Sequence, residues 1–248
     1  MTTGAARADF ALSVRDLSVR YGPVHALADV DIELGVGRVT ALIGMNGSGK
    51  SSLFNAIMGR VRPASGEIGV FGQSSLAARR AGLVAYLPQQ ESIDWDFPIS
   101  VRQVVMTGRF GMLGPTRRPR AIDREAVVDA LRRVGLADLE ERQIGELSGG
   151  QRKRVFLARS IAQQARLLLL DEPFAGVDKA SEASIIALLH ELRDSGCGIL
   201  ISTHDLAGVP ELADEVVLLR NRVLFHGPTA EALDPAMLTR VFGLEASA

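Results

Sequence analysis

The chain has 248 residues, 47% of them hydrophobic, and a formal net charge of −1, which supplies a sizeable core and excludes a disordered chain or a broadly basic nucleic-acid-binding surface. Its one cysteine, Cys197, excludes an internal disulfide or a cysteine-based zinc site, and no apolar run approaches the ~18 residues that span a bilayer. Met1 to Asp9 carries no hydrophobic leader, so the expectation is one cytosolic α/β domain with an inserted lobe.

In chain order, Leu12–Val19 and Val30–Leu34 alternate apolar with polar residues, as half-exposed antiparallel strands do. Val39–Ile43, Leu83–Leu87, Leu167–Leu170 and Ile199–Ile201 are nearly continuous apolar runs, which predict strands buried on both faces of a mainly parallel sheet. A helical run, Ser52–Met58, follows the first of these. Between Gln89 and Leu147 the β pattern disappears. Ser100 caps a predicted helix through Met106, Asp123 caps one through Val134, and a third runs from Gln151 to Ala162. The α/β pattern then resumes, with further strands at Val216–Leu219 and Val223–Phe225 and short C-terminal helices.

Lysine occurs only at positions 50, 153 and 179, so each one draws notice. Lys50 falls in Gly44-Met45-Asn46-Gly47-Ser48-Gly49-Lys50-Ser51, a G-x-x-x-x-G-K-S motif placed between a buried strand and a helix. Glycines allow backbone N–H groups to turn inward around phosphate oxygens, and the helix N-terminus adds its positive end. Lys50 would reach the β- and γ-phosphates, and Ser51 would ligate Mg²⁺.

Ligands of open α/β sheets bind beyond the carboxyl ends of the strands. The run 167–170 delivers Asp171 and Glu172 there. Asp171 is expected to hold Mg²⁺ through water, and Glu172 to orient and polarise the attacking water. Leu83–Leu87 ends in Pro88-Gln89-Gln90, and Ile199–Ile201 in Ser202-Thr203-His204-Asp205. The glutamine can ligate Mg²⁺ or position water, and the histidine can bond a γ-phosphate while holding Glu172.

Leu147-Ser148-Gly149-Gly150-Gln151 forms a second serine–glycine approach to a helix, without a lysine of the first kind. Such a site makes sense if it completes the phosphate pocket of another molecule. With this LSGGQ segment 24 residues before Asp171, the sequence resembles the ATP-binding subunits of ABC transporters from about Leu12 to Gly243. The resemblance implies a P-loop NTPase fold: a RecA-like α/β core with antiparallel strands at 12–88 and 163–243, and a helical signature lobe at 89–162. It implies ATP and Mg²⁺ as cofactors and a head-to-tail homodimer or pseudo-dimer, each ATP lying between one phosphate loop and the partner's Ser148 and Gly150. ATP contacts are then Tyr21, stacking on adenine, and Gly44 through Ser51 and Ser52, with Leu147–Gln151 contributing in trans. Gln89 becomes the Q-loop residue and a Mg²⁺ ligand with Ser51 and Asp171, Asp178 the D-loop aspartate, and His204 the switch histidine. Met45, Ser52, Arg152-Lys153-Arg154 and Ser160-Ile161 depart from the usual family residues. None removes a catalytic group, so an active ATPase is expected.

The stretch from Tyr86 to Val101 with the following VVMTGRFG, and Phe174 after Asp171-Glu172-Pro173, resemble the manganese, zinc and iron importers. The implied partners are a membrane permease and, indirectly, an external solute-binding protein, with no nucleic acid. The implied location is the cytoplasmic face of the membrane. An iron-chelate, haem or cobalamin importer, a non-transport ABC ATPase and a module that binds ATP without turnover are the alternatives. Glu91, Asp94 and Asp96 are not read as metal ligands, nor are His25, His190 and His226. Trp95 and Phe97 are expected to line the groove for a permease coupling helix, the alternative being that they pack inside the lobe. Arg109, Arg117, Arg118 and Arg120 are expected in a solvated loop, with permease or anionic lipid contact as the alternative.

Overall fold

The computed structural model describes residues 10–89, 95 and 97–243. Gln90, Glu91, Asp94 and Asp96 lie outside the described residues. Strands β1 (Phe10–Tyr21), β2 (Val24–Gly35), β4 (Ser65–Val70) and β5 (Gln73–Ser74) form an antiparallel sheet in the order β2-β1-β4-β5. Strands β3 (Val39–Ile43), β6 (Val84–Leu87), β7 (Leu167–Asp171), β8 (Gly198–Thr203), β9 (Glu215–Arg220) and β10 (Arg222–Pro228) form the second sheet, ordered β10-β9-β3-β8-β7-β6. Every pairing in it is parallel except β9 with β10. The chain is thus a mixed α/β fold with a parallel-rich core sheet.

The apolar runs are buried on both faces because their alternate residues enter two different cores. Leu42, Leu167, Leu169, Leu200 and Val217 pack toward the antiparallel sheet and helix α1 (Lys50–Ile57). Ile43, Leu168, Leu170, Ile201 and Leu218 pack toward the helical lobe and the helix that follows β7. Burying each such side chain contributes roughly 1.5–3 kcal/mol, so the sheet is a rigid platform for whatever its edge carries. Helix α2 (Ser75–Arg80) follows β5, and α6 (Lys179–Asp194) connects β7 to β8. The short helices α7 (Val209–Leu212), α8 (Thr229–Ala232) and α9 (Pro235–Phe242) complete the C-terminal part. The elements that sequence patterning does not reveal are β4, β5, α2 and α6. Gly66 and Gly69 dilute the β pattern of β4, whose first three residues are exposed.

Between β6 and β7 lie helices α3 (Val101–Met106), α4 (Ala121–Arg133) and α5 (Gly149–Ala162). Ser100 caps α3 in a capping box with Gln103. For α4 the expectation is corrected: the N-cap is Arg120, and Asp123 sits at the third helical position, accepting from the Arg120 backbone N–H at 3.0 Å. That bond, ahead of those from Arg109 and the Arg120 side chain, holds the Asp123 carboxyl below the usual carboxylate range.

Arg109 is also corrected. It is not in a solvated loop; it is 3% exposed and bonds Asp123 Oδ1, the Ala162 carbonyl at 3.0 Å and Gln164 Oε1 at 3.0 Å. A buried guanidinium with five donors needs such a full set of acceptors, and these acceptors join α4 to the end of α5. Arg117, Arg118 and Arg120 are not buried in this way. Trp95 and Phe97 part company: Trp95 packs edge-on against Phe156 with the Arg152 guanidinium over its ring, inside the lobe, while Phe97 is 59% exposed.

Candidate active site

The parallel register lines up four strand ends along one edge. Ile43 of β3 is opposite Thr203 of β8, Ser202 is opposite Asp171 of β7, and Leu170 is opposite Leu87 of β6. The loops leaving those strands therefore begin side by side, although they are far apart in sequence.

The loop after β3 enters α1 at Gly49, whose φ of +104° only glycine adopts without strain. A Cβ there would also strike the Leu27 side chain and the Ala26 carbonyl of β2. No side chain caps the helix, so its first N–H groups point into the loop without intrahelical acceptors. Lys50, 8% exposed, folds back to donate to the carbonyls of Gly44 (2.6 Å) and Met45 (3.2 Å). Burial pushes its ammonium below the usual lysine value, against the pull of Glu172 and Asp171. The buried hydroxyl of Ser48 has no hydrogen-bond partner among the described residues. A buried cation held by two carbonyls, an orphaned hydroxyl and helix amides without intrahelical acceptors fit a polyphosphate.

Ser51 Oγ lies 3.5 Å from Asp171 Oδ2. Desolvation raises the Asp171 carboxyl above its ordinary value, opposed by the hydrogen bond from Ser202. Gln89 Nε2 donates to Glu172 Oε2 at 3.1 Å, and His204 Nδ1 lies 3.3 Å from Glu172 Oε1. One carboxylate is thus gripped from both neighbouring strand ends. Glu172 has a left-handed φ of +50°, a conformation that costs a non-glycine residue ~1–3 kcal/mol and persists only where surroundings impose it. The hydroxyl oxygen of Ser51, a carboxylate oxygen of Asp171 and the amide oxygen of Gln89 make the all-oxygen donor set that suits Mg²⁺.

The remaining sequence-derived residues stand around this cluster. Tyr21 ends β1, 45% exposed, in the hairpin whose second strand meets Gly49. Asp178 caps α6, accepting from the Ser181 N–H at 2.9 Å. Ser148 caps α5 in a capping box with Gln151, and Gly150 lies against the Gly176 carbonyl. Among the described residues no hydrogen bond or ion pair joins Leu147–Gln151 to Gly44–Ser52. One tie between lobe and edge is Lys153, whose Nζ donates to the carbonyls of Gln89 (3.0 Å) and Glu172 (3.4 Å).

Sequence reasoning missed three supporting residues: Lys153, Ser202 and Asn221. Asn221, in the β9–β10 turn with φ +58°, donates from its backbone to Ser48 O at 2.8 Å and from its amide to Ala26 O at 3.0 Å, bracing the phosphate loop. Its signal was available: an asparagine between two apolar runs marks a tight hairpin.

These features form a phosphate-loop site, fit for a polyphosphate, at the carboxyl edge of a parallel sheet. The family model described as ABC transporter matches residues 27–175, and the chain belongs to that family. It is 47% identical to the manganese transport system ATP-binding protein MntA of Synechocystis, over 94% of this chain and 90% of that protein. It is 44% identical to the zinc transport system ATP-binding protein TroB of Treponema pallidum, over 94% and 87%. A metal-chelate type ABC transporter solved in an inward-facing conformation superposes with a TM-score of 0.82 at 31% identity, covering 95% of this chain and 90% of that one.

Proposed function

We propose that the chain is the ATP-hydrolysing subunit of an ABC importer that powers uptake of manganese, zinc or iron through a separate permease. ATP hydrolysis follows from the family; the cargo reading is supported by the relatives above, which cover nearly the full chain. The observation that carries the catalytic assignment is the Glu172 carboxylate held between Gln89 and His204 at 3.1 and 3.3 Å.

In this reading the γ-phosphate of ATP lies between Lys50 and the amides that open α1. Ser51, Asp171 and Gln89 would hold Mg²⁺, which when bound would neutralise charge on the phosphate oxygens. Glu172 accepts the proton of a water whose oxygen attacks the γ-phosphorus as the bond to ADP breaks. Gln89 and His204 keep that carboxylate aimed, and Tyr21 stacks on the adenine. Leu147, Ser148, Gly149, Gly150 and Gln151 complete the pocket of a second copy, with Asp178 beside them, which makes the working form a dimer. Support for this comes from the signature segment, which the monomer leaves unbonded to its own phosphate loop. Residues 12–88 and 163–243 act as the nucleotide-binding core and 89–162 as the lobe that meets the permease. No helix among the described residues is long and apolar enough to cross a membrane. The reading places the chain peripherally, on the cytoplasmic face under its permease, with an external solute-binding protein delivering cargo.

Glu172→Gln tests the mechanism. Steady-state hydrolysis is expected to fall by at least ~10²-fold while ATP binding and ATP-dependent dimerisation persist; undiminished turnover would remove Glu172 from its role. For the cargo, deletion of the subunit is expected to abolish cellular uptake of at least one of radiolabelled manganese, zinc or iron, and unchanged uptake of all three refutes it.

A further inference from the structure

Ser202 is absent from the mechanism above, yet it is fully buried at the reacting edge, and its side chain touches both acidic residues there. The β-register places it on the central strand β8, opposite Asp171 of β7 on one side and Leu42 of β3 on the other. Its hydroxyl donates to Asp171 Oδ1 at 2.5 Å and accepts from the Glu172 N–H at 3.0 Å. The Ser202 carbonyl shares that N–H at 3.2 Å.

We propose that Ser202 is a positioning residue for ATP hydrolysis, its one hydroxyl assigning two adjacent carboxylates to different tasks. Along a regular strand, residues 171 and 172 would point to opposite faces. The left-handed φ of Glu172 breaks that alternation, and Lys50 feels both charges. Two acids so close need separate restraints to keep separate roles. Ser202 supplies them: by occupying Oδ1 of Asp171 it leaves Oδ2 facing Ser51, and by holding the Glu172 N–H it fixes the backbone turn that carries the Glu172 side chain to Gln89 and His204. The Lys153 ammonium secures the same residue from its carbonyl side. The hydroxyl is the group that matters, because a buried serine lacking these partners would only cost desolvation.

The inference rests on the ATPase reading and is tested by two variants of nearly equal volume, Ser202→Thr and Ser202→Val, which differ in the hydroxyl. On the full-length chain, melting temperature, ATP affinity in EDTA, ATP affinity in Mg²⁺ and turnover are measured. Ser202→Thr is expected to stay within about three-fold of the parent in turnover. Ser202→Val is expected to lose at least about ten-fold in kcat and several-fold of the Mg²⁺-dependent gain in ATP affinity, with affinity in EDTA unchanged. Equal behaviour of Thr and Val, whether both active or both impaired, overturns the proposal. If Val does not fold, Ser202→Ala replaces it against Thr under the same criteria. A parent chain without ATPase activity would refute the ATPase reading itself, whereas an active parent with Thr and Val alike refutes only the role of Ser202.

Discussion

The N-termini of α1 and α5 are both approached through a serine and glycines, and they solve the same electrostatic problem in opposite ways. At α5 the Ser148 hydroxyl accepts from the Gln151 N–H at 3.2 Å, and the Gln151 side chain accepts from the Ser148 N–H at 2.9 Å. That helix start is satisfied within its own chain. At α1, among the described residues, the cap is a left-handed glycine with no side-chain bond, the Ser48 hydroxyl is orphaned, and a buried lysine is held by two carbonyls. The contrast separates a binding element that is stable by itself from one that carries an unmet demand for negative charge. A helix start that is complete alone can be presented to a second molecule at little cost, whereas one with open donors is finished by the ligand it is built around.

Matched glycine substitutions put the greatest strain on this distinction. Gly49→Ala forces a Cβ to 2.5 Å from Leu27 Cδ2 and 2.7 Å from the Ala26 carbonyl at a φ of +104°. It is expected to destabilise the chain by about 2–4 kcal/mol in urea unfolding and to abolish ATP binding. A Cβ on Gly149 meets nothing within 4 Å, so Gly149→Ala should leave stability within about 1 kcal/mol and ATP binding by the monomer intact. Only ATP-dependent dimerisation and turnover should fall. If both substitutions destabilise equally, the helix starts of α1 and α5 do not differ in the way described.

A smaller effect concerns the buried carboxylate beside α1. Burial raises the Asp171 carboxyl above its ordinary value, so the folded chain keeps that proton over a pH range where the unfolded chain has lost it. The native state then binds more protons, and by linkage stability falls as pH rises through that window, which opens near the ordinary aspartate value of about 3.9. Asp171→Asn retains an acceptor for Ser202 without the charge. In EDTA and without nucleotide it should be more stable than the parent at pH 7, by on the order of 1 kcal/mol. The advantage should shrink as pH falls through the window, while turnover is lost. A less stable Asn variant at pH 7 would show that burying the Asp171 charge carries no net cost to the fold.

The phosphate loop, Asp171, Glu172, Gln89 and His204 were legible in sequence because strand ends announce them: each follows an apolar run closely. Their supports were not, because a support is defined by register. Which residue of β8 stands beside Asp171 depends on strand pairing that no local pattern encodes, so Ser202 passes in sequence for part of a loop. Asn221 reaches Ser48 from a turn over 170 residues downstream. Arg109 is misplaced by sequence for a related reason. Charge beside glycines reads as solvated, and only the fold shows Asp123, Ala162 and Gln164 surrounding it. Trp95 and Phe97, two residues apart, differ in burial because just one of them finds Phe156 and Arg152.

The smallest effect concerns whether the self-satisfied start of α5 is stable for the stated reason. Ser148→Ala removes the acceptor for the Gln151 N–H and should cost about 1 kcal/mol in unfolding free energy. Gln151→Ala removes the reciprocal bond to the Ser148 N–H. Because the two bonds hold one another's geometry, the double variant should lose less than the sum of the singles. Strict additivity would mean that serine and glutamine act separately and that the reciprocal box is incidental. Neither single change touches Lys50 or Ser48, so ATP binding by the monomer should be unaffected in both, even where ATP-dependent association fails. A loss of monomer binding in Ser148→Ala would place this serine in the pocket of its own chain and erase the division between the N-termini of α1 and α5.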